Sequence, residues 1–369
     1  MTFKHALLWI AGIGIITFAV LFLGWEEVSS ALAKADPWFL LGLFGLQLVT
    51  LSLIAFQWQY LLNKTSHYLP LRKVMAINLA GSYIESVTPS VKLGGEAAKI
   101  FLLRKETDLS YQQLAGVLLA HKYLSLLPFL GLAAFFLALA FTRYQLPPAT
   151  YLAFFLLLGF FSLLSWMHYR GGKKGEETGI HKKFAEERND PENSSSPSAG
   201  SSNVVSVPPE DAGWFKSRLT SKIIRSLGGK FSALTEFVNR ASIHSRELAT
   251  PGEKRNLLII STIIWFLYPL KIYLVAHMLG LEPSLVTAAI VAFTAYVISM
   301  VPVLPGGLGT FEGSMVLMFT LGGYDPAQGL AVALLSRLVT FWFPLILSAV
   351  AAAYMTVQHT RHQQPSQGG

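Results

Sequence analysis

Within an otherwise apolar region, the stretch Val301–Glu312 places Pro302, Pro305, Gly306, Gly307 and Gly309 almost side by side. Proline removes a backbone donor and glycine removes conformational restraint, so a helix entering here is predicted to unwind. Unwound backbone in a bilayer is tolerated only where protein or water satisfies its N–H and C=O groups. The stretch ends in an acid, Glu312, and another apolar run follows. This pattern reads as a broken or re-entrant helix lining a polar cavity, the place where transporters bind cargo. The competing reading is a short surface loop between two ordinary spans.

The surroundings favour the membrane. Hydrophobic residues make up 52% of the 369-residue chain and charged residues only 14%, against roughly a quarter charged in soluble domains. Mean hydropathy is +0.47. The net charge of +8, from 29 basic and 21 acidic residues, is assigned to cytoplasmic loops facing anionic lipid rather than to nucleic acid, which is not an expected partner. With no cysteine, disulfides, thiolate metal sites and cysteine nucleophiles are excluded.

Basic residues set the expected topology. Lys4 and His5 precede the apolar run Ala6–Gly24, read as a retained first span rather than a removed signal. An acidic loop with Glu26, Glu27 and Asp36 leads to a second span, Trp38–Leu62, followed by Lys64, Arg72 and Lys73. Gln47, Gln57 and Gln59 on that span are expected to pair as amides between helices. The next segment is too short to span and is basic at both ends, so a re-entrant hairpin is predicted at about 74–106. Further spans are predicted at Leu114–Phe141, Tyr151–Tyr169, Leu257–Leu279 and Ala327–Val357, with a second hairpin at about 285–321.

Residues 170–256 form a cytoplasmic insertion. Its first part, Gly171–Gly213, is charged and Ser/Pro-rich and is predicted to be disordered. From Trp214, apolar residues recur every three or four positions with lysine and arginine between them. A helix over about 214–248 is expected to lie on anionic lipid or to pack on the protein's own loops. Residues 358–369 are expected to be a disordered tail.

One offset of 216 superimposes the two broken segments. It pairs Glu96 with Glu312, Pro89 with Pro305, His121 with Arg337, and Pro128 with Pro344. The first hairpin is entered from the cytoplasm and the second from outside, so the halves are inverted. The fold class expected is an all-α polytopic membrane protein: an inverted repeat of about six transmembrane helices plus two re-entrant hairpins. Residues 1–169 and 257–357 form its two membrane halves, and both termini are cytoplasmic. Inverted repeats with broken helices meeting at the midplane are an architecture of alternating-access transporters.

Three stretches, Gly94–Lys99, Pro302–Glu312 and Arg337–Trp342, resemble the flippase-like, lysylphosphatidylglycerol-synthase transmembrane family. The resemblance covers most of the membrane part but not the insertion. It implies handling of phospholipids, aminoacylated lipids or glycolipids across the bacterial inner membrane. Where that family usually carries an acid–base pair early in the span after the first hairpin, this chain has His121 and Lys122, a more cationic arrangement. No synthase domain follows, so aminoacyl transfer is not expected.

Arg337 is the first candidate for binding cargo. A charge deep in a span costs about 2.5–3.5 kcal/mol or more, so it faces the interior and has a partner. A guanidinium suits a bidentate grip on phosphate, and an ion pair with Glu312 or Glu96 is the structural alternative. Lys122 and Lys271 are candidates for the same role, Lys122 with the alternative of reaching to the interface. Glu96 and Glu312 follow glycine-rich breaks; each is read either as a helix-end cap or as a proton-coupling carboxylate. The amides of Gly94, Gly95, Gly306 and Gly307 are placed to cradle a phosphate. No metal, cofactor or catalytic residue is expected. The reading is a lipid flippase or transporter whose partners are membrane lipids. A transferase on a lipid-linked donor and a non-transporting scaffold are the alternatives.

Overall fold

The computed structural model describes residues 3–65, 68–87, 93–144, 148, 151–152, 155–156, 158–159, 162, 241, 243–245, 247–300 and 304–362. Every regular element among them is helical. The expected Tyr151–Tyr169 span lies largely outside the described residues, as do the expected disordered segment and most of the 214–248 helix.

Helix α1 (Phe3–Leu23) turns by 99° into α2 (Trp25–Leu32) at Gly24. The expected acidic loop is therefore a helix. Glu26 and Glu27 occupy its first turn, where free N–H groups and the helix dipole favour carboxylates. Val28 and Ala31 give it a buried face. The long span α3 (Pro37–Asn63) starts at Asp36, whose carboxylate accepts from Trp38 N at 2.9 Å, with proline in the first turn. Two shorter helices follow, α4 (Leu71–Val87) and α5 (Leu93–Glu106). Helix α6 (Tyr111–Arg143) opens on a reciprocal cap between Ser110 and Gln113, and α7 (Pro251–Met278) on the same device built from Thr250 and Glu253.

Helices α8 (Leu285–Ser299) and α9 (Thr310–Leu321) flank the proline- and glycine-rich break. Helix α10 (Pro326–Arg337) starts on Asp325 and runs through a π-helical turn, Leu338–Trp342, into α11 (Phe343–His362). Pro344 lacks the N–H that would bond a carbonyl one turn back, a local reason for the widened turn. Helix α11 runs past Val357 into the expected tail; nothing before His362 breaks it, and basic residues suit a helix C-terminus.

Among the described residues, helices α3, α6, α7 and the composite α10–α11 are long and apolar enough to cross a membrane, and the bent α1–α2 pair raises the number of candidate spans to five. Large apolar side chains such as Phe22, Leu41, Phe135, Ile346 and Val350 face outward, as lipid-facing surfaces do. Several apolar spans of this kind are the mark of a multi-pass integral membrane protein.

The packing repeats itself. Helix α4 packs on α3 and α5 on α6; likewise α8 packs on α7 and α9 on α10. The first helix of each pair also packs on a distant helix, α4 against α11 and α8 against α6. Both pairs carry an acid in the first turn of the second helix.

Candidate functional site

The second pair holds a closed ion pair. Arg337 is only 7% exposed and Glu312 only 3%. Arg337 Nε donates to Glu312 Oε1 at 2.9 Å and Nη2 donates to the carbonyl of Gly307 at 2.7 Å. The other carboxylate oxygen accepts from Gly309 N at 2.7 Å. The guanidinium lies 4.5 Å from the Phe311 ring centroid and 5.0 Å from that of Phe341, a cation–π sandwich. Both carboxylate oxygens of Glu312 and the Nε and Nη2 groups of Arg337 thus find partners within the protein. Gly307 makes the geometry possible: its φ is 67°, and a Cβ would come within 2.9 Å of Ser299. Gly306 is exposed, whereas the Gly307 carbonyl is already occupied by Arg337.

The first pair is built on a close crossing. A Cβ on Gly95 would lie 2.6 Å from the Gly81 carbonyl oxygen, so glycine lets α5 approach α4 backbone to backbone. The neighbouring Gly94 is partly exposed. One residue after Gly95, Glu96 gathers two ammonium groups on a single oxygen. Lys122 Nζ stands 2.5 Å from Oε1 and Lys99 Nζ 3.3 Å from it. Oε2 has no partner although it is buried, and neither has either ring nitrogen of His121. The His121 ring packs on Trp58 at 5.0 Å, and Lys99 lies 5.9 Å from the Trp58 ring. The side chain of Lys122 is 39% exposed against 7% for Glu96. With neutral histidine the cluster carries a net single positive charge.

Lys271 stands apart from both. It is fully buried, donating to Gln47 Oε1 and, at 3.0 Å, to Thr50 Oγ1. The Tyr268 ring centroid is 4.5 Å away. The Thr50 hydroxyl proton is already used on the Leu46 carbonyl at 2.9 Å, so Thr50 offers Lys271 only an acceptor. An amide oxygen, a hydroxyl oxygen and an aromatic face are the surroundings of an ammonium, and no carboxylate pairs with it among the described residues.

The structure thus joins Arg337 to Glu312, and Lys122 to Glu96, and it gives Lys271 other partners. Sequence reasoning passed over Lys99 and Trp58 as site residues. Lys99 was open to discovery, since residues three apart face each other on a helix; Trp58 comes from another helix and carried no such signal. Two of the three amides of α3 bond across to another helix, as expected, though none of the three meets another amide among the described residues. Gln47 accepts from Lys271, Gln57 donates to the Leu257 carbonyl and Ser261, and Gln59 donates to the Leu69 carbonyl. No group of histidines and acids suited to a metal occurs among the described residues.

Comparison with known proteins extends these observations. A family model described as the lysylphosphatidylglycerol synthase TM region matches residues 9–348. A UPF0104 membrane protein of Methanothermobacter thermautotrophicus is 25% identical over 366 residues, covering 96% of each chain. A second from the same organism is 23% identical, covering 94% of this chain and 92% of its own. A UPF0104 membrane protein of Pyrococcus horikoshii is 22% identical, covering 94% of this chain and 96% of its own.

Proposed function

Because the chain belongs to the lysylphosphatidylglycerol synthase transmembrane-region family, we propose that it is a lipid flippase or lipid transporter. The cargo is an anionic or lipid-linked headgroup, carried by a phospholipid, an aminoacyl-lipid or a glycolipid, and moved by alternating access. The observation that carries this reading is the Glu96 cluster. Three charged side chains meet at the start of a short helix inside an apolar bundle, and one ammonium is half-exposed. Charges in such a place are expensive and mark cargo or ion paths.

In this reading the headgroup enters beside Lys122 and Glu96 while its acyl chains stay in the bilayer. The amides of Gly94 and Gly95 help hold the phosphate. The Arg337–Glu312 pair opens and closes the second hairpin, with Gly306 and Gly307 as its hinge. The two halves are inverted repeats, in six spans plus two re-entrant hairpins. The protein resides in the cell inner membrane with cytoplasmic termini, and the 214–248 segment contacts anionic lipid. The cross-packing of α4 on α11 and α8 on α6, with the offset of 216 between Glu96 and Glu312, supports the repeat.

The test is headgroup translocation in proteoliposomes, read as loss of fluorescent phosphatidylglycerol to an external quencher. Lys122→Met and Arg337→Ala are each expected to slow the rate about tenfold, a change of about 1.4 kcal/mol. Equal rates in wild type and in both variants, or no rate above empty vesicles, would sink the proposal. Because the chain has no cysteine, single cysteines introduced at Lys4 and Arg361 report their own sidedness. Labelling of either from outside contradicts the topology.

A further inference from the structure

Buried polar atoms in native proteins are nearly always hydrogen-bonded, so an orphan needs a reason. The Glu96 cluster holds three: Glu96 Oε2, His121 Nδ1 and His121 Nε2. Glu96 and His121 are only 6% and 8% exposed. Both ammonium groups crowd onto Oε1 and leave Oε2 an unused acceptor. A neutral imidazole adds one donor and one acceptor. The orphans adjoin the half-exposed Lys122, the member of the cluster that solvent or a headgroup meets first. The aligned second pair has no such gap, since both oxygens of Glu312 are taken.

We propose that this cluster selects headgroups in which a phosphodiester is accompanied by a hydrogen-bond donor, a hydroxyl or an ammonium. Resting on the lipid-transport reading above, the inference names the cargo class of that site. The phosphate draws Lys122 off Oε1 by offering it a second anion. The headgroup's O–H or N–H then donates to the free oxygen of Glu96, and His121 takes up the remaining donor or acceptor. A phosphodiester ending in an alkyl group neutralises Lys122 equally well but leaves Oε2 unpaired. A site left with an unpaired buried acceptor disfavours such a ligand strongly.

The experiment compares lipids of equal charge that differ in their donors. Purified full-length protein in detergent is titrated with dioctanoyl phosphatidylglycerol and with dioctanoyl phosphatidylmethanol, and binding is read by native mass spectrometry. Phosphatidylethanolamine against phosphatidylcholine is the zwitterionic pair. Wild type is expected to prefer the donor-bearing member of each pair by about tenfold or more. Glu96→Gln presents an amide N–H where the free oxygen stood and is expected to bring the ratio below about threefold. Lys122→Met is expected to weaken both members while keeping the ratio. Equal affinity for both members of a pair in wild type overturns the proposal, and this needs no variant to fold. So does a ratio unchanged in Glu96→Gln. Glycerol 3-phosphate separates a lipid from a free phosphate: binding as tight as that of phosphatidylglycerol overturns the assignment to a lipid headgroup. Selective binding without translocation in the vesicle assay would remove the transport reading and leave the selectivity standing.

Discussion

Glu96 and Glu312 both lie in the first turn of the helix after a break and end up in opposite states. Glu312 is saturated, with Arg337 on one oxygen and the Gly309 amide on the other. Glu96 has two lysines on one oxygen and nothing on the other. The difference begins with one residue. At the position aligned with Arg337 the first half has His121, so the cation comes instead from Lys122, one residue on. A guanidinium is a rigid fork that can bond a carboxylate and a carbonyl at once, as Arg337 does with Glu312 and Gly307. An ammonium is a point charge on a flexible stem. The break between α8 and α9 is therefore pinned by its own ion pair, and the Glu96 cluster retains unmet hydrogen-bonding capacity.

The largest expected effect tests the pin. Removing one partner of a buried, hydrogen-bonded ion pair costs about 3–5 kcal/mol, because the other charge is left uncompensated. Arg337→Ala should lower the thermal midpoint of the purified protein far more than Lys122→Ala. Lys122 is partly exposed, and Glu96 keeps Lys99 as a partner when Lys122 is removed. Arg337→Lys should recover little, since one ammonium does not reproduce the fork. Equal losses for Arg337→Ala and Lys122→Ala would erase the distinction between a closed and an open half.

A second effect concerns a charge with no counterpart. The offset that pairs Glu96 with Glu312 places Ala55 against Lys271. Lys271 is held by Gln47 and Thr50 with no carboxylate beside it among the described residues. Replacing buried ionic groups by apolar ones of similar size is often neutral or stabilising by about 1–4 kcal/mol. Lys271→Met combined with Gln47→Leu, which avoids stranding the amide, is expected to raise the midpoint within that range. A lower midpoint for the double variant would show that Lys271 stabilises the bundle despite lacking an acid.

The framework of this comparison was readable from the chain, and the asymmetry was not. Prolines and glycines around 302–309 and an apolar segment too short to span announced the broken helices, because their effects on backbone are local. The pairing of Arg337 with Glu312 was open to inference, since a charge deep in a span demands a partner. What escaped was set by tertiary approach. Nothing in the order of residues says that Trp58 lies under His121, or that Gln47 meets Lys271 rather than another amide. The acidic stretch after Gly24 misled because glutamates suit both a loop and the first turn of a helix; Val28 and Ala31, buried against other helices, decide between them.

The smallest expected effect falls on the open half alone. His244 packs on Gly116 of α6, the helix that carries His121 and Lys122; its Cδ2 would be 2.9 Å from a Cβ placed on Gly116. Its Nε2 is buried without a partner. Burial pulls the imidazole below its ordinary value of 6.5, with the Glu247 charge opposing. The folded state thus binds a proton less readily than the unfolded one. The neutral ring's contribution is fully present above about pH 6.5 and is lost as pH falls through the lowered folded value. Acidification should therefore loosen the docked residues around 241–249 and speed hydrogen exchange there, leaving the Glu312–Arg337 hairpin protected. His244→Phe should remove this dependence, because a phenyl ring fills similar space and cannot take up a proton. If α9 and α10 instead open in step with the 241–249 segment, the two halves are coupled through α6 and do not respond to pH separately.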